Sequence, residues 1–424
     1  MTLRICHLGK FYPPARGGIE SHVQSLARAQ VALGAEVQVV CVNHDMGGID
    51  ATWRIVGSTP SVEENDEGVR VVRVGRHASV SRFDVCPSIF SALWRVRREG
   101  VDILHLHAPN PTMFTALSLL PSFGTLVVTH HADVVKQRVL RHAYQPVERF
   151  VHARAALVLS DSDSYIGGSE PLLRLGSKVK TLPLGIDLAP FLRPSARALA
   201  IADELRAKHG APLWLSVGRV VYYKGLLTAV DALAHVPGKL VIVGRGPMEA
   251  EVRAHAARRG VEDRVIWAGN LEDEELVGAY RAARALWFPS NARAEGFGLA
   301  QVEAMASGCP VLNTRVPHSG VAWVSLDDVS GITVPIGDPG ALAQAARRLL
   351  DDEALHQRLA RGARARAEGE FDQRIMGERS LSLYREAMGS AEHAHGPRHP
   401  GVGVPHSGSG DKSHPLTIEG LSGN

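Results

Sequence analysis

Residues 285–311 read ALWFPSNARAEGFGLAQVEAMASGCPV. The run ALWF is apolar throughout and stops at Pro-Ser, which suits a strand buried on both faces. A polar loop follows, NARAEGFG, and then LAQVEAMAS has helical spacing and ends at Gly308 and Pro310. Val311 opens another apolar run. Strand, loop, helix and strand in this order make a βαβ unit, so the chain builds a parallel sheet with helices on its faces. The unit also carries two acids: Glu295 in the loop and Glu303 about one turn inside the helix. Between them the amides of Phe297, Gly298 and Leu299 form the positive end of that helix. An anion resting there would have a carboxylate on each side for neighbouring hydroxyls, the layout a nucleotide sugar requires. Read one at a time, Glu295 is equally a helix-dipole acid and Glu303 a solvated helix position.

The same grammar extends along the chain. RICHL (4–8), the helical IESHVQSLARAQVAL (19–33) and EVQVVCV (36–42) make a first unit. Residues 44–68 read as irregular, and then VRVVRV, DILHLH, TLVVTH and ALVLS continue as buried strands. A second series runs through LWLSVG, KLVIVG, RVIWAG, ALWFPS and PVLNTR. Between the two lies GIDLAPFLRPSARALA, whose prolines and small residues suit a connector. The expected division is therefore 1–190 and 191–371 for two Rossmann-like units, 372–388 for a last helix, and 389–424 for a Gly/Pro/Ser/His-rich tail with little to bury.

Composition narrows the function. With 424 residues, 45% of them apolar, and a net charge of +3, the chain is no wholesale nucleic-acid binder, although RVRREG and VKQRVLRH are locally basic. Its four cysteines are scattered without C-x-x-C spacing and read as buried thiols of a reducing compartment. The first apolar run is too short for a signal peptide, and none approaches a membrane span. A cytoplasmic chain is expected, with a peripheral contact to the inner face of an anionic membrane around Lys136, Arg138 and Arg141.

Ligands of open parallel sheets sit beyond the carboxyl ends of strands. Several distinctive stretches fall at such ends. Gly17 and Gly18 precede the first helix and serve either a tight turn or an anion. Arg219 and Lys224 flank a loop that bends back at Gly225, as two converging cations or two solvated ones. His130, His131 and Asp133 follow four apolar residues in VVTHHADVV. No H-x-x-x-H pair stands on a predicted helix, so neither a metal nor another cofactor is expected.

Together E-G-F-G-L-x-x-x-E-A-M-A-x-G-x-P-V, G-R-x-x-x-x-K-G and V-G-x-G-P resemble the retaining nucleotide-sugar glycosyltransferases of family 4, over roughly residues 3–388. The resemblance implies an α/β GT-B fold: two doubly wound domains facing across a cleft, with a C-terminal helix crossing back to the first. It implies that Arg219 and Lys224 bind the donor diphosphate, Glu303 the ribose, and Glu295 with the amides of Phe297, Gly298 and Leu299 the sugar and phosphates. Gly269, Asn270 and Leu271 would hold the base, and Gly17 and Gly18 would close the cleft. His131 would stand near the donor sugar, with His130 the neighbouring choice of register. The partners implied are a nucleotide-sugar donor and a glycan or lipid-linked acceptor, and THHADVVKQRVL with YYKG leans toward a GDP-mannose type of donor over UDP-hexoses. A nucleotide-sugar epimerase of the same fold and a non-catalytic binding protein are the other readings. A nicotinamide enzyme is disfavoured, because neither glycine loop completes G-x-G-x-x-G with its acid.

Overall fold

Long apolar runs without alternation belong in parallel sheets covered on both faces, and each half of the chain forms one. The computed structural model describes residues 2–15, 17–43, 59–80, 83–131, 138–210 and 212–394, with the backbone alone at 79–80, 138–143 and 390–394. The basic stretch around Lys136, Arg138 and Arg141 lies outside the described side chains, as does the tail beyond residue 394.

The first half contributes β1 (Arg4–Leu8), β2 (Glu36–Val42), β3 (Val62–Asp66), β4 (Val69–Val74), a small hairpin of β5 (Ala78–Val80) and β6 (Phe83–Val85), β7 (Ile103–Ala108), β8 (Thr125–His130), β9 (Leu157–Ser160) and β10 (Val179–Thr181). Its main sheet has the order β10-β9-β8-β7-β1-β2-β4-β3. All pairs are parallel except β3 with β4. The second half contributes β11 (Leu213–Val217), β12 (Lys239–Val243), β13 (Val265–Gly269), β14 (Ala285–Phe288), β15 (Val311–Thr314) and β16 (Gly331–Val334), in the order β13-β12-β11-β14-β15-β16. Each sheet lies between two apolar layers, one per face. The order reverses direction beside β1 in one sheet and beside β11 in the other. Those are the switch points where crevices open beyond strand ends.

The irregular stretch expected at 44–68 is partly strand. Val62–Asp66 forms an exposed edge, and Glu67 and Gly68, with φ of 50° and 89°, turn it back onto β4. Two successive positive φ angles match the right-handed twist of a hairpin. The sequence hides this strand because VEEND has no apolar face.

The last helix, Gln373–Ala394, extends past Met388, where the sequence placed its end. It leaves the second half beside Ile186, whose amide bonds the Phe371 carbonyl at 3.0 Å. Met376, Leu381, Tyr384 and Ala387 then enter the core of the first half with Val23, Leu26 and Ala27 of helix Gly18–Ala32. The crossing helix thus belongs by packing to the domain at the other end of the chain.

One glycine shapes the crevice at β11. Gly225 has φ of 67°, and a β-carbon there would sit 1.9 Å from the Pro289 carbonyl oxygen. Gly260 has nearly the same φ, 64°, with open space around it. Gly260→Ala should therefore cost only the left-handed backbone, about 1–2 kcal/mol. Gly225→Ala should cost clearly more in urea denaturation, since the loop must leave Pro289.

Candidate active site

The crevice of the second sheet opens between the ends of β11 and β14. From β11 the chain runs through Gly218 and Arg219 to Lys224, and from β14 through Pro289 to Glu295. Lys224 Nζ lies 2.7 Å from Glu295 Oε2, with both side chains largely buried at 14% and 10% exposure. The same ammonium stands over the Phe288 ring at 4.6 Å. A β-carbon at Gly218 would meet Lys224 Nζ at 3.1 Å, so the glycine gives the lysine its place. Arg219 is exposed at the lip of the same loop.

Behind Glu295 the chain enters helix Leu299–Ala306. Gly298 caps it with φ of 84°, and any side chain there would strike the Phe288 ring. Phe297 is buried against Trp323 and Phe371. Glu303 is one turn in and partly buried. The Tyr280 hydroxyl donates to its Oε2 at 2.6 Å. Burial pushes the Glu303 carboxyl above its ordinary value, with the Tyr280 bond and the Lys224 charge opposing. Gly269 ends β13 with φ of 68°, and its carbonyl accepts the Gly244 amide at 2.6 Å. Asn270 is exposed and Leu271 partly buried just beyond it.

Across the cleft stands His131, directly after β8. A β-carbon on Gly296 would lie 3.5 Å from the His131 carbonyl oxygen, so the Glu295 loop meets the first domain here. Arg293 adds a second tie, stacking on Tyr165 at 4.1 Å and donating to its carbonyl at 3.1 Å. Alternation along the strand separates the two histidines. His131 turns into the buried cluster described next. His130 lines an apolar cavity of about 260 Å³ with Ala108, Phe114, His152 and Leu172.

Behind His131 runs a chain of buried hydrogen bonds that the sequence reading missed. His131 Nε2 faces His107 Nδ1 at 3.2 Å, His107 Nε2 faces His7 Nδ1 at 3.0 Å, and His7 Nε2 faces Gln30 Oε1 at 2.8 Å. Gln30 donates from Nε2 to Ser380 Oγ and the Tyr384 hydroxyl, both on the crossing helix. That fixes the protons: His7 carries its hydrogen on Nε2, and a neutral His7 accepts the His107 hydrogen on Nδ1. Burial draws His7 down to about 4, the Gln30 bond opposing, and holds His107 well below its usual value, so both rings are neutral. The Tyr384 hydroxyl in turn meets His105 Nδ1 at 2.6 Å, and His105 Nε2 meets Thr129 Oγ1 at 2.6 Å.

Two acids escaped the sequence reading as well. Gly17 and Gly18 do open helix Gly18–Ala32, but the carboxylate of Glu20 folds over Gly17, and burial pushes its carboxyl up. Asp161 and Asp163 form an Asp-x-Asp triplet whose side chains part company. Asp161 Oδ1 stands 3.5 Å from His131 Nδ1, whereas Asp163 accepts the Thr181 hydroxyl.

Comparison with known proteins identifies the family. Residues 17–167 match the model of the glycosyl transferase 4-like domain, and residues 200–366 that of glycosyl transferases group 1. The O-antigen chain mannosyltransferase C of Escherichia coli is 30% identical over 92% of this chain and 100% of its own. A D-rhamnosyltransferase of Pseudomonas aeruginosa is 29% identical over 86% of this chain and 91% of its own. Among solved structures, sucrose-phosphate synthase from Thermosynechococcus elongatus superposes with a TM-score of 0.73 at 25% identity, covering 92% of this chain and 100% of that one. Two doubly wound domains, a helix that crosses back and full-length relatives of this kind lead to one assignment: the chain belongs to the GT-B glycosyltransferases that pair a 4-like domain with a group 1 domain.

Proposed function

We propose that the enzyme transfers a mannosyl or deoxymannosyl unit, with retention at the anomeric carbon, from a GDP-linked donor to a glycan or lipid-linked acceptor. The reading rests above all on one observation: Lys224, Glu295, the Gly298 helix end and Glu303 share the crevice at β11 and β14, opposite His131. The names of the Escherichia coli and Pseudomonas aeruginosa relatives support the choice of sugar.

Breaking the sugar–phosphate bond puts negative charge on the departing diphosphate. Arg219, Lys224 and the amides of Phe297, Gly298 and Leu299 meet that charge from a preorganised, partly dry pocket. Positive charge grows on the anomeric carbon, and Glu295 stabilises it while holding the sugar hydroxyls. Retention follows if the acceptor attacks from the face the phosphate leaves, with the phosphate taking the acceptor's proton. His131 faces the sugar from the first domain. Tyr280 occupies one oxygen of Glu303 and leaves the other for the ribose. Gly269, Asn270 and Leu271 border the base, and Gly17 and Gly18 close on the donor. The apolar cavity beside His130 offers room for an acceptor's apolar part. Among the described residues no helix is long and apolar enough to cross a membrane. A membrane-borne acceptor would be met through a peripheral contact at the cytoplasmic surface.

Titration calorimetry tests the ribose assignment. Glu303→Gln should weaken GDP and GDP-sugar alike, by roughly 10- to 150-fold, for the loss of a charged hydrogen bond of about 1.5–3 kcal/mol. An unchanged GDP affinity would remove Glu303 from the site. A thermal-shift series of GDP, UDP, ADP and their sugars tests the base, because the cognate nucleotide stabilises the fold by mass action.

A further inference from the structure

His22 is the one member of the histidine cluster with no place in the hydrogen-bond chain. It is 2% exposed, and among the described residues neither of its ring nitrogens has a partner. Leaving an imidazole so buried and unpaired is costly. Its ring centre lies 4.9 Å from that of His131 and 5.5 Å from that of His107. One nitrogen from each of the three rings comes within 4.8 Å of the other two.

We propose that His22, His107 and His131 form a binding site for a divalent transition-metal ion of the zinc class, and that an ion bound there switches the enzyme off by engaging His131. Three imidazoles suit zinc, copper or nickel and not magnesium or calcium. Two of the three are already fixed from behind, as metal-binding histidines are. His107 Nε2 is held by His7 at 3.0 Å, and His131 Nδ1 faces the Asp161 carboxylate at 3.5 Å. His131 frees Nε2 by shifting its hydrogen to Nδ1, where Asp161 accepts it, with no net gain or loss of protons. The His107 and His131 nitrogens, 3.2 Å apart, already have the roughly 3.3 Å spacing that metal–nitrogen bonds of about 2.0–2.1 Å require, and a His22 nitrogen closes on them from within 4.8 Å. The fourth position is left for water or an anion. The neighbouring triplet of His7, His105 and His107 is a poorer candidate, since both nitrogens of His7 and of His105 are already bonded.

Cobalt(II) reports on the site directly. The full-length enzyme should bind Co2+ with the visible absorption of a nitrogen-ligated tetrahedral or five-coordinate ion, displaced by Zn2+. His22→Phe, which fills the same space, should lose that absorption while keeping metal-free activity and melting temperature. The histidines of the C-terminal tail are present in both proteins and cancel in the difference. Zn2+ should inhibit the wild type at the concentration that displaces cobalt, and His22→Phe should need at least 10-fold more. An absorption equal in both proteins, or none in the wild type, overturns the site. Cobalt binding without zinc inhibition overturns the switch. If His22→Phe fails to fold, paramagnetic shifts of wild-type histidine ring protons decide instead: shifts at His22, His107 and His131 support the site, and shifts confined to the tail sink it. The cobalt readout does not depend on donor identity, so its failure is distinct from a failure of the proposed reaction.

Discussion

Between pH 7 and pH 5.5 the first domain should lose most of its stability. His7, His22, His105, His107 and His152 are buried, and burial holds each below the ordinary 6.5, His7 and His152 at about 4 and the others well below. The unfolded chain binds protons at these positions as the pH falls through 6.5, and the folded chain does not. Stability present above 6.5 is therefore lost on acidification. At pH 5.5 each histidine contributes a loss of about 1.4 kcal/mol, or roughly 7 kcal/mol for the five together. That approaches the whole stability of an ordinary domain. Glu20, whose carboxyl is pushed up, opposes the trend, but it is one against five. Urea unfolding at pH 7.5, 6.5 and 5.5 measures the slope directly. A flat profile across that range would mean these imidazoles reach water or charged partners in solution.

Lys224→Met should be the most damaging single substitution in the second domain. The pair at 2.7 Å is nearly shut away from solvent, so removing the ammonium strands the Glu295 carboxylate. The expected cost is ~3 kcal/mol, the low end for breaking a buried pair, because some water reaches the cleft. Donor affinity and kcat should fall with it. Adding Glu295→Gln should restore most of the stability, since no charge is then left unpaired, and none of the activity. Glu295→Gln alone should lower kcat and leave GDP affinity near wild type, as expected of a group that acts most strongly in the transition state. Equal stability of Lys224→Met and the double variant would show that the two side chains do not pair in solution.

The strands and helices were legible wherever apolar spacing stood beside glycine or proline. RICHL and EVQVVCV are β1 and β2 residue for residue, and the helix expected at 19–33 forms at Gly18–Ala32. The edge strand Val62–Asp66 was not legible, because a charged edge has no burial pattern to betray it. Of the crevice, Lys224, Glu295 and Glu303 could be found, since one loop and one helix carry the two acids and the facing loop ends in Lys-Gly. The histidine chain could not. His7, Gln30, His107 and Tyr384 come from two strands and two helices, and only the sheet order sets β1 beside β7. The one local sign was ILHLH, where His105 and His107 share a strand face that should have been apolar. Asp161 stayed hidden for the same reason: its partner, His131, is distant in sequence.

The crossing helix also bears on how the chain is made. Synthesis proceeds from the N-terminus, and domains generally fold as they emerge. Here the first sheet leaves the ribosome without Met376, Leu381 and Tyr384, and with Gln30 and His105 lacking the partners that this helix brings. The intervening sheet, synthesised later, has nearly all of its own core by Phe371. The half that is born first should therefore be finished last. A nascent chain stalled before residue 373 should hold a protease-resistant second domain beside a first domain that is still easily cut.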